Sequence, residues 1–275
     1  MSSNFEDWIG REQELREPIR AAAVEALAAS LDLPAPREGD ALPPGWQWLF
    51  FNPSPPRETL GVDGLPTHGD FMPPIELPRR MWAGNRIQYV SPLPIGAEAV
   101  KRSKIVSIER KTGKAGPLCF VTQEHHISSG GQVRIVEQHG LVFRAPPIGE
   151  APTPPRHEEK AQWVETFTPD PVLLFRYSAL TFNAHRIHYD QPYAREVEGY
   201  PDLVVHGPLT ATLLHLFAQK HGGGRRLARF DLRAVNPLYV TEPFTLEGRA
   251  EGDALLVWAR GPDGELAMSA IATFD

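Results

Sequence analysis

The amino-acid sequence predicts an α+β fold in which an α-helix packs against an antiparallel sheet, with this unit present twice in the chain. Three observations predict it. An apolar run follows His206-Gly207-Pro208, segments rich in β-branched and aromatic residues alternate with turn sequences in both halves, and short motifs of the first half return in the second. At 275 residues the chain is long enough for two such units.

The apolar run after Pro208 predicts a buried helix. Leu209, Leu213 and Phe217 recur at helical spacing, and most residues between them are apolar as well. Proline suits the first turn of a helix because no backbone hydrogen bond is lost there. The free N–H groups at a helix start favour negative charge. We therefore expect the N–H of Gly207 to stabilise a polarised carbonyl oxygen.

The strand-like segments are rich in β-branched and aromatic residues and end at turn sequences such as Lys111-Thr112-Gly113 and Pro262-Asp263-Gly264. In the first half we predict strands at 87–90, 105–110, 118–127 and 133–143. In the second half we predict strands at 229–235, 244–250, 254–260 and 266–274.

Two pairs of motifs indicate an internal duplication. The first pair is Gly64-Leu65-Pro66-Thr67-His68-Gly69 and Gly199-Tyr200-Pro201 with the later His206-Gly207, and the second is Val90-Ser91-Pro92-Leu93 and Val235-Asn236-Pro237-Leu238. Three prolines soon after His68-Gly69 forbid a long helix there. We therefore predict that the first-half helix is shortened or broken, which would leave a wider groove over its sheet.

These features divide the chain into four parts. Residues 1–34 form an N-terminal helical segment, because an apolar stripe over 5–31 predicts one or two amphipathic helices. Residues 35–145 form a degenerate first copy of the unit. Residues 146–160, which contain five prolines by position 155, form a linker. Residues 161–275 form the second copy, which carries a polar cluster before its helix.

The composition excludes several classes of protein. The formal net charge is −6 and the sequence pI is near 5.9, which argues against nucleic-acid binding because phosphates need a basic face. The single cysteine, Cys119, rules out an intramolecular disulfide and fits a reducing cytoplasm. Neither a secretion leader nor a long apolar run is present, so we predict a cytoplasmic protein that does not cross a membrane.

The second-half cluster resembles the signature of the MaoC-like hydratases and dehydratases. The residues in register are Ile187, His188, Asp190, Tyr193, Ala194, His206 and Gly207. The family has the hot-dog fold and acts on acyl-CoA thioesters, so the resemblance implies a double hot-dog, with two antiparallel sheets each wrapped on a helix. This sequence departs from the family signature at Asn183, where the family has a catalytic Asp, and at His185-Arg186, where Asn-Pro is common.

With this departure, the segments FNAHRIHYD, PPGWQWLFF and LPRRMWAG resemble the double-hot-dog branch that includes mesaconyl-C4-CoA and itaconyl-CoA hydratases. The resemblance covers most of residues 40–275. The alternating Trp46, Trp48 and Phe50 are typical of a strand that packs aromatic rings on the core, and lining of an acyl or pantetheine tunnel is the alternative.

The resemblance implies roles for the catalytic residues. His188 would take a proton from the attacking water, and the Gly207 N–H would hold the thioester oxygen. Asn183 does not titrate in the useful range and would orient the water. Asp190 would either assist His188 or cap the next short helix. A metal site is not expected, because His185 and His188 lack a third ligand motif.

Four residues are predicted to bind substrate. Arg186 would pair with a second carboxylate on the acyl group, and His206 would contact the substrate beside Gly207. Arg80 would bind the CoA phosphates while Trp82 stacks on adenine. No cofactor is expected, because CoA is part of the substrate.

We therefore predict a hydratase that adds water to a branched C5-dicarboxylyl enoyl-CoA, mesaconyl-C4-CoA or itaconyl-CoA, to give citramalyl-CoA. A 3-hydroxyacyl-thioester dehydratase of fatty-acid type would use the same residues with an apolar tunnel. A non-catalytic acyl-thioester-binding protein is suggested by Asn183. We expect a homodimer or higher homo-oligomer.

Overall fold

A computed structural model describes residues 5–67, 71–113, 116–145 and 154–275. Within these residues the chain forms ten strands and three α-helices. In chain order the elements are β1 (Glu12–Pro18), α1 (Ala21–Ser30), β2 (Arg79–Tyr89), β3 (Glu98–Gly113), β4 (Gly116–Ser129), β5 (Gln132–Arg144), β6 (Trp163–Phe167), α2 (Pro171–Leu180), α3 (Gly207–His221), β7 (Leu227–Ala234), β8 (Phe244–Glu251), β9 (Ala254–Arg260) and β10 (Leu266–Phe274).

The ten strands form one antiparallel sheet rather than two separate sheets. Their order is β1-β3-β4-β5-β2-β7-β10-β9-β8-β6, so each half of the chain supplies five neighbouring strands. The halves join where β2 pairs with β7, from Gly84 opposite Arg233 to Gln88 opposite Arg229. This pairing satisfies two edges that would otherwise expose backbone N–H and C=O groups. The α+β double hot-dog is confirmed, with its two sheets fused edge to edge.

The buried helix of the second half is α3, as predicted. Pro208 lies in its first turn and His206 is its N-cap residue. Leu209, Leu214 and Ala218 have no solvent exposure. The helix lies close to the sheet at Gly248, where an added Cβ would come within 2.9 Å of the Phe217 ring. Helix and sheet together bury most of the apolar core.

The first half has no equivalent of α3 among its described residues, which agrees with the prediction of a broken helix. His68 and Gly69 lie outside the described residues, and 71–78 contains no helix. The aromatic segment 46–49, predicted as a strand, is a 3₁₀-helix instead. Gly45, at φ 87°, turns the chain into it and lies against His215 of α3, where a Cβ would be 3.0 Å from the ring. Only glycine accommodates both this turn and this approach easily.

The N-terminal segment also differs from the sequence prediction. Residues 12–18 form β1, an edge strand paired with β3, where a helix was predicted. Charged side chains cover this strand, and pairs such as Arg102–Glu14 cross to its neighbour. Such charge is typical of an edge strand, which must avoid pairing with other chains. Only α1 remains of the predicted helices.

The second copy begins with two elements that the sequence prediction omitted, β6 and α2. Asp170 caps α2 by accepting hydrogen bonds from the N–H groups of Val172 and Leu173, and Pro171 occupies its first turn. The predicted linker is described only from residue 154, where 154–160 forms an isolated bridge at Arg156. Among the described residues no helix has the length and apolar character needed to cross a membrane.

Candidate active site

A sharp turn after α2 brings the predicted catalytic segment to the start of α3. Phe182 has φ of 50°, a left-handed conformation that costs energy for a bulky residue. The next residue, Asn183, donates its backbone N–H to the Ser178 carbonyl at 2.8 Å. Its side-chain Oδ1 accepts the N–H of His185 at 3.0 Å. The Asn183 amide therefore shapes the loop that carries His188.

His188 is buried and has a defined tautomer. Its Nδ1 lies 2.7 Å from the Val204 carbonyl oxygen, which can only accept, so Nδ1 carries the proton and Nε2 has the lone pair. Burial, together with the nearby His185, lowers the pKa of His188 to about 3. His188 is therefore neutral near pH 7. Among the described residues, no carboxylate hydrogen-bonds to it or pairs with it.

The His206 ring stacks on the His188 ring, with 3.7 Å between centroids and 18° between planes. His206 is fully buried, and its Nε2 lies 2.8 Å from the Ser178 hydroxyl. Its Nδ1 is buried without a hydrogen-bond partner among the described residues. Burial lowers the pKa of His206 well below its usual value. The His206 ring is therefore uncharged near pH 7, and it stacks on His188 directly before the helix start.

Gly207 follows directly and is the first residue of α3, so its N–H has no partner within the helix. A Cβ at this position would lie 2.9 Å from Cε3 of Trp82. Trp82 is thus packed over the helix start, and it donates its indole N–H to Asn85 at 2.6 Å. Stacking of Trp82 on adenine stays a prediction, and its ring lies beside the N–H that is predicted to hold the thioester oxygen.

The Arg186 guanidinium is bound to protein groups. Its Nε and Nη2 donate to Asp190 Oδ2 at 2.9 and 2.7 Å, and its Nη1 donates to the Val62 carbonyl at 2.9 Å. The guanidinium also lies 4.0 Å from the centre of the Tyr193 ring. Binding of a second acyl carboxylate by Arg186 stays a prediction, and it would require these contacts to be exchanged. In the structure Arg186 fastens the first-half loop around Asp63 to the catalytic segment.

Asp190 has the structural role that was one of its two predicted alternatives. Besides Arg186, its Oδ1 accepts the N–H of Tyr193 at 3.1 Å, at the start of the π-helical turn Tyr193–Val197. These bonds hold the pKa of Asp190 below its usual value. Its carboxylate is committed to this loop and is not the partner of His188.

Arg80 lies on β2, two residues before Trp82, and is partly buried. Burial lowers its pKa, and the Asp63 carboxylate acts on it in the opposite direction. The pKa of His185 is in turn lowered to about 4 by burial and by the Arg80 charge. Arg80 therefore stands near the His185 and His188 pair, whose ring centroids are 5.5 Å apart.

The sequence prediction missed Ser178, Val204 and the loop around Asp63. Gly64 of the repeat motif could have indicated that this loop makes a close backbone contact. Its φ is 85°, and a Cβ would overlap the Ala184 carbonyl oxygen at 2.0 Å. The glycine is needed for this contact between the two halves. Ser178 and Val204 act through contacts that no local pattern indicates.

The site thus brings together the Nε2 lone pair of His188, the stacked His206 ring and the free Gly207 N–H at the start of the buried helix α3. An imidazole lone pair can accept a proton from water. A helix N–H end can hold an oxygen that gains negative charge. The site therefore suits addition of water to, or its removal from, a carbon chain activated by a carbonyl group.

The family model described as hydroxyacyl-thioester dehydratase type 2 matches residues 45–240. The chain belongs to this family of hot-dog hydro-lyases, so the predictions of a MaoC-like member and of an enzyme of the hydro-lyase class are confirmed. The chain is 46% identical to a mesaconyl-C4-CoA hydratase of Chloroflexus aurantiacus over 98% of this chain and 97% of that protein.

Two solved structures of Mycobacterium tuberculosis proteins agree in fold. HtdX has a TM-score of 0.69 at 18% identity and covers 96% of this chain and 100% of its own. A protein described as having a double hot-dog fold has a TM-score of 0.54 at 14% identity, with 96% and 95% covered. At such identities the likeness shows the fold alone.

Proposed function

We propose that this protein is a hydratase that adds water to a branched C5-dicarboxylyl enoyl-CoA, mesaconyl-C4-CoA in the first place, to give citramalyl-CoA. The relative of 46% identity, which bears the name mesaconyl-C4-CoA hydratase, supports this substrate. Itaconyl-CoA is the second substrate to be tested. The CoA moiety belongs to the substrate, so the reaction needs no further cofactor.

His188 carries the proposal. Its Nδ1–H bond to Val204 leaves Nε2 unprotonated, and neutral imidazole is the form that can accept a proton. In the proposed reaction, Nε2 removes a proton from water while the water oxygen forms a bond to Cβ. The electron pair of the double bond moves to Cα and onward to the thioester oxygen, which the Gly207 N–H holds.

The second half of the reaction returns the proton. The imidazolium of His188 gives its Nε2 proton to Cα, and the thioester carbonyl forms again. Asn183 shapes the loop through its Oδ1 bond to His185, and its side-chain NH₂ is left to orient the water. His206 stacks on His188 and directly precedes Gly207, and in the proposed complex it contacts the acyl group.

The test is an assay of purified protein with mesaconyl-C4-CoA, itaconyl-CoA and crotonyl-CoA, followed by loss of the enoyl thioester and by mass of the product. We expect kcat/KM for mesaconyl-C4-CoA to exceed that for crotonyl-CoA. Crotonyl-CoA lacks the second carboxylate but reacts by the same chemistry. Equal or better activity on crotonyl-CoA would contradict the dicarboxylyl substrate.

A second candidate is a 3-hydroxyacyl-thioester dehydratase of fatty-acid type, which the family description favours. A long acyl chain needs an apolar tunnel. The inner face of the first-half sheet instead carries a band of buried polar side chains, including Gln123, His125 and Glu137. Buried polar groups on that face do not favour a long apolar acyl chain there. Higher activity with longer, uncharged 3-hydroxyacyl thioesters would support the dehydratase.

A non-catalytic thioester-binding protein is the remaining alternative. It would retain CoA-thioester affinity in a His188→Ala variant and have no turnover to lose. The wild-type assay and the His188→Ala variant together distinguish a hydratase from a non-catalytic binding protein. The homo-oligomer and the cytoplasmic location stay predictions.

A further inference from the structure

Arg80 is a cation beside the reaction centre whose charge no described residue pairs directly, and this inference rests on the proposed function. It lies opposite Phe143 in the β2–β5 pair. Alternate residues of a strand share a face, so Arg80 and Trp82 point to the same side of β2. The Trp82 ring lies over Gly207. The face that carries Arg80 is therefore the one that meets the start of α3.

The neighbouring arginines are already engaged. Arg79 pairs with Glu198 at 3.2 Å, and Arg186 pairs with Asp190 at 2.7 Å. Arg80 has no hydrogen bond or ion pair within the part of the chain that the structure describes. Asp63 acts on it through space, but the Asp63 Oδ1 accepts the N–H of Leu65 in its own turn.

A partly buried, unpaired guanidinium is costly, and binding of an anion would offset that cost. The charge also acts on the histidines. Burial first, and Arg80 second, lower the pKa of His185, and the His185 ring is in edge contact with that of His188. Arg80, His185 and His188 are thus neighbours, and a ligand oxyanion held by Arg80 would lie beside them.

The position favours an acyl carboxylate over a CoA phosphate. The pantetheine arm separates the thioester from the phosphates, whereas Trp82 and Gly207 place Arg80 at the thioester end. In mesaconyl-C4-CoA the free carboxylate is attached to Cβ, the carbon that takes water. The cation that binds this carboxylate must therefore stand beside His188.

We propose that Arg80 is the specificity-determining residue that binds the free carboxylate of the acyl group in a two-point contact. Its planar fork matches a carboxylate, which a lysine does not. This assigns to Arg80 the role that the sequence suggested for Arg186. It also replaces the predicted contact of Arg80 with CoA phosphates.

The test compares Arg80→Gln and Arg80→Lys with the wild type and with Arg86→Gln. The β2–β5 register shifts between Trp82 and Gly84, and this β-bulge exchanges the two faces of β2. Arg86 is exposed and lies on the face opposite Arg80, so it is a matched control. The first measurement is kcat/KM for mesaconyl-C4-CoA and for crotonyl-CoA. The second is binding of succinyl-CoA and butyryl-CoA, which differ in the carboxylate and are not hydrated.

We expect Arg80→Gln to lower kcat/KM for mesaconyl-C4-CoA by roughly 100-fold, a usual effect of removing one partner of a buried charge pair. Activity on crotonyl-CoA should fall much less, because this acyl group offers Arg80 no carboxylate to bind. The affinity of Arg80→Gln for succinyl-CoA should fall as well, and its affinity for butyryl-CoA should stay close to that of the wild type. Arg80→Lys should lie between wild type and Arg80→Gln, and Arg86→Gln should match the wild type.

Equal losses on both substrates and both saturated thioesters would overturn the role of Arg80 and indicate the CoA phosphates, while hydratase activity would stand. Wild-type protein that hydrates neither enoyl thioester would overturn the proposed function itself. If Arg80→Gln does not fold, Arg80→Lys retains the charge and gives the same comparison. Unchanged selectivity in Arg80→Lys would then contradict the two-point contact.

Discussion

The rings of His188 and His206 lie face to face, 3.7 Å apart between centroids, and this stack joins the proposed base to the start of α3. Neither ring is charged near neutral pH, because burial lowers both pKa values. Two imidazolium ions could not stack this way. The contact therefore depends on a site that keeps its histidines neutral.

Replacement of His188 by glutamine should abolish most turnover while the fold remains. Glutamine can still donate to the Val204 carbonyl, but it cannot accept and return a proton. We expect kcat to fall by about 10²- to 10⁴-fold, the usual contribution of an acid–base residue. Enoyl-CoA hydration assays and thermal unfolding check this.

The matched control is His126→Gln. His126 is on β4, and its side chain is 43% exposed, far from the stack in sequence. This variant should keep wild-type kcat. Full activity in His188→Gln would contradict the assignment of the base.

Acid should destabilise the protein well above the pKa of its carboxylates. Burial lowers the pKa of His188 to about 3 and those of His185 and His215 to about 4. In the unfolded chain each titrates near 6.5. Between these values the unfolded state binds more protons, so stability falls as pH drops below about 6.5. Each such histidine contributes up to about 1.4 kcal/mol per pH unit.

Urea unfolding at several pH values from 7.5 to 5 measures this slope. Carboxylates contribute little in this window because their unfolded pKa values lie lower. His188→Gln removes one titrating group and should reduce the slope, whereas wild-type stability that is flat from pH 7 to 5 would contradict buried neutral histidines.

Arg186→Gln should weaken the protein without changing its substrate preference. The side chain is 37% exposed, and its pairs with Asp190 and Val62 hold a loop. A partly screened pair contributes no more than about 1 kcal/mol. We therefore expect a small loss of stability and equal relative losses on mesaconyl-C4-CoA and crotonyl-CoA. A selective loss on the dicarboxylyl substrate would return carboxylate binding to Arg186.

Local patterns predicted the parts of the site that depend on local structure. The position of Pro208 and the apolar spacing after it were enough to place α3, and the second-half motif placed His188. The role of Arg186 depends on Val62, which is 124 residues away in the chain. Nothing near Arg186 in the sequence indicates that contact.

The N-terminal strand shows the same limit. The alternating charges of β1 fit an exposed helix face as well as a sheet edge, and only pairing with β3 decides between them. Trp82 is similar, because an aromatic residue beside two arginines suits a nucleotide site on sequence alone. Its contact with Gly207 arises from the joining of the two halves.

Gly207→Ala should impair catalysis by steric overlap. An added Cβ would meet Trp82 Cε3 at 2.9 Å, so the ring or the helix start must move. Alanine favours the helix itself, and a fall in kcat/KM would therefore reflect the displaced N–H. A second change, Trp82→Phe, removes the overlapping ring and should restore part of the activity. Wild-type kcat/KM in Gly207→Ala would contradict a tight oxygen-binding position.

The addition of water should be syn. His188 is the one titratable group among the proposed catalytic residues, because Asp190 is bound to Arg186 and Tyr193 and the Asn183 amide does not titrate. The same Nε2 then removes the water proton and delivers a proton to Cα. Both events take place on the side of the double bond that faces the ring, so oxygen and hydrogen enter from one face.

Hydration of mesaconyl-C4-CoA in deuterated water tests this. The reaction is stopped at low conversion, so that reversal does not scramble the label, and the product is compared by NMR with stereospecifically labelled citramalyl thioesters. A single syn isomer is expected, because one imidazole reaches only one face. An anti product requires a second acid on the opposite face of the double bond, and it would show that His188 does not act alone.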